Sequence, residues 1–195
     1  MPLWGATDAD ESKPKWLTTA QKKEVFADTT GWVVEGGSTM TGNDNTSAAP
    51  EILAAIGGLT TKIGAADITG VEWITTAADK SAGFTLSVRV RWNEAVTVTG
   101  NPTLAVTNGN QGTGSGRGPH SLVYASGSGS NELVFSLAIA ANNAATNAND
   151  VLTVAAQTIA LAGGTIKDTA DGTTVSARAI SGAQGTACGS ITVVA

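Results

Sequence analysis

Residues 84–106 read FTLSVRVRWNEAVTVTGNPTLAV, and apolar and polar side chains alternate along most of that stretch. Phe84, Leu86, Val88, Val90 and Trp92 fall on one side of a period-two pattern, and Thr85, Ser87, Arg89 and Arg91 on the other. A strand with one buried face and one wet face reads this way, as is common in antiparallel sheets. Breaks are expected at Asn93-Glu94 and at the Gly100-Asn101-Pro102 turn, giving two or three consecutive strands.

The same grammar extends in both directions. Upstream, ITGVEWITT begins at Ile68 and places Val71 and Trp73 on one face. Downstream come HSLVYAS, the turn GSGSN, and ELVFSLAIA with Leu133, Phe135, Leu137 and Ile139 aligned. DVLTVAA, QTIALAG, GTIKD and SITVVA follow. This amounts to about eight to ten short strands between turn-rich clusters, with no helical crossovers of the kind a parallel sheet needs. The fold class expected is all-β, a β-sandwich over residues 67–195, with a closed barrel as the other architecture the pattern allows.

Residues 1–66 follow different rules and are expected to form an extended docking arm with one or two short helices. Thr18 and Gln21 have the spacing of a capping box ahead of LTTAQKKEVFA. In PEILAAIGG, Pro50 suits a first helical turn and Gly57-Gly58 its end, with Ile52, Leu53 and Ile56 on one face. Trp4, Trp16 and Trp32, three of the chain's five tryptophans, lie in this arm. Disordered tails are poor in large aromatics, so the rings are expected to order the arm by docking, either on the chain's own body or on a neighbouring subunit.

Composition narrows the partners. Hydrophobic residues make up 42% of the 195, charged ones only 14%, and the formal net charge is −5. Residues 1–80 hold six Lys against eleven Asp or Glu, whereas residues 81–195 hold five basic and five acidic groups. With no basic block and a pI near 4.7, nucleic acid is not an expected partner. No segment approaches the ~18 consecutive apolar residues of a membrane span, and the acidic opening is unlike a signal peptide. Synthesis in a cytoplasm is expected, with any relocation by assembly. The sole cysteine, Cys188, excludes an internal disulfide and reads as a small buried apolar group rather than a nucleophile paired with the sole histidine, His120.

The sharper motifs reduce to plainer ones. Asp168 and Asp171 in KDTADG are a thin start for calcium and read first as an Asx-stabilised turn. NNAATNANDV offers a single carboxylate, Asp150. GTGSGRGPH lacks the Gly-Lys-Ser/Thr of a phosphate loop and runs into a strand, so it reads as a hairpin tip that exposes Arg117 and His120 to a partner or a glycan. Arg89 and Arg91 occupy the polar side of their strand, solvated or at an interface. Asn45-Thr46-Ser47 has the form of a glycosylation sequon. No catalytic, cofactor or metal residues are nominated.

Two resemblances add to this. WNEAVTVTGNPTLAVTNG, LVYASGSGSNELVF and LAGGTIKDTADGT, in that order, resemble a bacterial immunoglobulin-like repeat of large surface proteins and adhesins. Trp92-Asn93-Glu94 stands where that family has aromatic-Ser-Glu, and Leu161-Ala162-Gly163-Gly164 where it has Leu-Asn-Gly-Gly. The resemblance implies an immunoglobulin-like sandwich that displays loops and catalyses nothing. MPLWGATDADESKPKWLTTAQKKEVFADTTGWVVE is similar to the opening of virion structural proteins of tailed phages that infect marine bacteria, cyanobacteria in particular. Together they imply a capsid decoration (cement) protein on the outer surface of a virion. Its partners would be the major capsid protein or neighbouring copies of the chain. The alternative is a tail, neck or baseplate component whose loops contact host-surface glycans. A fragment of a bacterial adhesin and an enzyme are the remaining readings, the latter without residues to nominate.

Overall fold

The computed structural model describes residues 13–28, 30–55, 65–109, 119–170 and 172–195. Helix α1 (Thr19–Lys23) leads into strands β1 (Val25–Asp28), β2 (Gly31–Val34) and β3 (Glu51–Ala55). The body then runs through β4 (Ile68–Trp73), β5 (Ala78–Asp79), β6 (Phe84–Thr99), β7 (Thr103–Gly109), β8 (His120–Ser126) and β9 (Ser130–Ile139). It continues with β10 (Val151–Thr153), β11 (Gln157–Thr158), β12 (Thr165–Asp168), β13 (Ala179–Ile180), helix α2 (Gly182–Cys188) and β14 (Ser190–Val194).

The body is an all-β sandwich made by a curled nine-stranded sheet in the order β12-β6-β9-β8-β7-β10-β14-β5, with β4 also paired to β6. Its centre is the pairing of β6 with β9, which sets Leu86 opposite Leu137, Val88 opposite Phe135 and Val90 opposite Leu133. Leu86, Val88, Val90, Leu133 and Phe135 are fully buried. Each such side chain contributes roughly 1.5–3 kcal/mol by leaving water. Trp92 is buried as well, and its indole N–H donates to the Ala177 carbonyl at 2.9 Å.

The break expected at Asn93-Glu94 is not a turn. Strand β6 continues for sixteen residues, and its register against β9 shifts between Arg91 and Val96. The irregularity lets one strand serve two sets of neighbours, β4 beside its first half and β12 beside its second. Asn93 stitches the change of partner: its backbone N–H donates to the Asp67 carbonyl at 2.9 Å, and its Oδ1 accepts from the Asp67 N–H at 2.7 Å. The Gly100 turn is present, with φ at +73°.

The N-terminal segment holds more order than an extended arm. Its strands form a separate antiparallel sheet, β1-β2-β3. Helix α1 is as the capping box requires, with Thr18 Oγ1 accepting from the Gln21 N–H and Gln21 Oε1 from the Thr18 N–H. The helix expected from Pro50 onward is instead strand β3 over its described part, and Gly57-Gly58 lie outside the described residues. Pairing with β2 overrides local propensity there, because the strand delivers Leu53 and Ala54 to an apolar cluster while Ile52 faces out. That cluster is Leu17, Val25, Trp32 and Val34 with Met40, and it is distinct from the main core.

Candidate functional site

The capped helix α1 and the turn before it present Trp16. The Leu17 N–H donates to the Pro14 carbonyl at 3.3 Å, and Lys13 Nζ donates to the Lys22 carbonyl at 2.8 Å, tying the turn to the end of the helix. Leu17 points inward to the small cluster. Trp16, its neighbour, is 70% exposed, the most exposed large apolar side chain among the described residues. Residues 13–23, KPKWLTTAQKK, contain four Lys and no acid.

The other nominated residues separate from it. Trp32 is 2% exposed and sunk in the chain's own small cluster, so it orders the segment by packing within the chain. Strand β2 is buried along its whole length, which the Gly-Trp-Val-Val run could have signalled. Trp4 and Arg117 lie outside the described residues. His120 is not an exposed tip residue. It is the first residue of β8, paired with Val106, and it is buried. Its Nε2 shares a hydrogen bond with Thr146 Oγ1 at 3.1 Å, and burial holds the imidazole below its ordinary pKa against the opposing charge of Asp150.

Asp168 forms the expected turn, its Oδ1 accepting from the Ala170 N–H at 2.7 Å, while Asp171 lies outside the described residues. Asp150 is buried and accepts from the Asn147 N–H at 2.8 Å. Cys188 is half-buried, and burial together with the Glu72 charge pushes its thiol up to about 11. Among the described residues no three His, Cys, Asp or Glu side chains converge on a metal-sized site, and no helix is long and apolar enough to cross a membrane.

The polar side of β6 carries the least expected feature. Arg91 is 4% exposed rather than solvated. Its Nη2 donates to Glu35 at 2.7 Å, its Nη1 to Glu72 at 2.9 Å and its Nε to Glu132. One guanidinium thus gathers a carboxyl from the end of β2, one from β4 and one from β9. Arg89 adds a contact to Glu132 at 3.5 Å, and Lys23 one to Glu72 at 3.7 Å. Two of the carboxylates were legible as cross-strand partners, since Glu132 stands opposite Arg91 and Glu72 opposite Arg89. Glu35 comes from a separate sheet and carried no such signal. A cleft of about 450 Å³, lined by Glu24, Glu35, Ser38, Thr46, Arg89 and Glu132 among others, opens onto the cluster.

No family model, curated protein or solved structure matches the chain.

Proposed function

We propose that the chain is a non-enzymatic structural protein of a tailed-phage virion, a capsid decoration (cement) protein that docks on the head shell through its N-terminal segment and holds its sandwich outward. The observation that carries the docking half is Trp16, exposed on a turn that hydrogen bonds already hold in place. A pre-ordered indole loses little conformational freedom on binding, and Trp is among the side chains that dominate interface energies. Lys15 and Lys22, flanking the indole in a chain with net charge −5, favour a partner pocket that is apolar at its centre and acidic at its rim. The stretch that resembles phage virion proteins runs through the same residues.

The sandwich supports the outward role by what it is made of. Its apolar residues close into one continuous core, and its ionisable groups are few. Such a module gains nothing from chemistry and adds mass and protease resistance at each copy, while repetition on a symmetric lattice multiplies a modest contact. The expected partners are the major capsid protein or neighbouring copies, not nucleic acid.

Copy number tests the assignment. Quantified in purified virions, the chain is expected at a level comparable with the major capsid protein. A level of a few copies per particle would overturn the head assignment and place the chain in the tail, neck or baseplate, where the glycan-contact reading belongs.

A further inference from the structure

Two apolar cores meet in this molecule without merging, and strand β1 lies against β6 where they meet. Among the described residues two ion pairs cross that seam, Glu35 to Arg91 and Lys23 to Glu72. The first belongs to the three-carboxyl cluster, and its arithmetic is uneven. Arg91 gives one N–H from each of its three nitrogens to Glu35, Glu72 and Glu132, so a single cation is set against three carboxyls. Glu35 and Glu132 take neighbouring nitrogens of that guanidinium, Nη2 and Nε, which brings the two carboxyls side by side. Two carboxyls in contact share one proton, because two adjacent anions in a partly dry site repel. The groups that face Glu35 are Lys23 from α1 with Glu24 just after it, Glu72 from β4, Arg89 and Arg91 from β6, and Glu132 from β9. Glu24 is itself taken up by the Ser38 hydroxyl at 2.5 Å, and Glu35 Oε2 is buried with no hydrogen-bond partner.

We propose that the proton shared by Glu35 and Glu132 over Arg91 is a latch that fastens the N-terminal three-stranded unit to the sandwich and releases it as the solution turns alkaline. Burial pushes Glu35 up to about 8, the hydrogen bond to Glu132 adds to that, and the Arg91 charge opposes it. Burial also pulls Glu132 upward, but the bond from Glu35 and the charge of Arg91 outweigh it and hold that carboxyl below its ordinary value. Glu35 is therefore the proton's owner and Glu132 the anion that accepts from it. A carboxyl whose folded pKa is raised contributes stability in full below its ordinary value near 4.5, and that contribution fades as pH climbs through about 8. The open cleft gives solvent a route to the proton. The latch is a property of the isolated chain, and it stands or falls independently of what the chain docks on.

Amide hydrogen exchange on the full chain between pH 6 and 9.5 reads it directly. Protection factors, which already correct for the intrinsic pH dependence of exchange, are compared for Val25, Phe26, Trp32 and Val33 against Leu133 and Phe135. The N-terminal amides are expected to lose more than about tenfold protection across the range while the β9 amides hold, since the linked opening equilibrium changes by up to tenfold per pH unit. In Glu35→Gln the amide takes the place of the protonated carboxyl, so the loss is expected to vanish. In Glu132→Gln the neighbouring anion is gone and Glu35 ionises more readily, so the loss is expected at lower pH. Constant protection in the wild type, or a loss in Glu35→Gln equal to the wild type's, would overturn the latch. Should Glu35→Gln fail to fold, an unshifted midpoint in Glu132→Gln would overturn it equally.

Discussion

Two indoles in the N-terminal unit meet opposite fates, and the difference can be measured. Trp32 is packed among Leu17, Val25 and Val34, so Trp32→Ala is expected to cost about 3–5 kcal/mol, read as a shift in the denaturant midpoint of that unit. Trp16 is in water, so Trp16→Ala is expected to stay within about 0.5 kcal/mol of the wild type. Equal losses would mean that both rings are internal. Cys188 offers a second check at this scale. With its thiol pushed up to about 11, alkylation at pH 8 is expected to run on the order of a hundredfold slower than for a free cysteine, whose pKa is about 8.5. Alkylation at the free rate would contradict the half-buried setting.

At the scale of elements, what sequence revealed depended on how local the determining contacts are. The first half of β6 and strand β9 were legible because alternation alone fixes their faces, and Val88 facing Phe135 across the pair agrees with that period. The capping box at Thr18 was legible for the same reason, being closed within one turn. Segment 51–55 was not, since its apolar spacing fits a helix as well as a strand and only the partner β2 decides between them. Helix α2 was missed behind its glycines, although Ser181 and Gln184 repeat the capping box that revealed α1. Its glycines differ in purpose. A Cβ on Gly185 would run into the Val154 carbonyl oxygen, whereas one on Gly182 meets nothing within 4 Å. Gly185→Ala is expected to destabilise by about 1–3 kcal/mol through overpacking, and Gly182→Ala to be neutral or to stabilise by up to about 1 kcal/mol. Thermal unfolding of the two variants side by side decides it, and a reversed order would refute the tight seating of α2 against the backbone that follows β10.

Over the whole molecule, the unread part is the joining of two units. Nothing in residues 1–66 announces that Glu35 ends up on Arg91, because that contact depends on how one sheet rests on another. Arg91 is expected to be the most sensitive charged position among the described residues: Arg91→Ala leaves Glu35 without its cation and Glu132 and Glu72 with only the longer contacts to Arg89 and Lys23, at a cost of about 3–5 kcal/mol. Equilibrium unfolding of that variant is expected to show the N-terminal unit melting ahead of the sandwich, and a wild-type curve would remove the hub from the description. Two units coupled across a polar seam are compatible with the proposed division of labour, in which the N-terminal part docks and the sandwich stands clear. The grip itself is tested most directly by titrating wild-type and Trp16→Ala protein onto head particles assembled without the chain. The folded variant is expected to bind at least about thirtyfold more weakly, the loss of about 2 kcal/mol that marks an anchoring side chain. Undiminished binding by a folded Trp16→Ala would contradict docking through this turn.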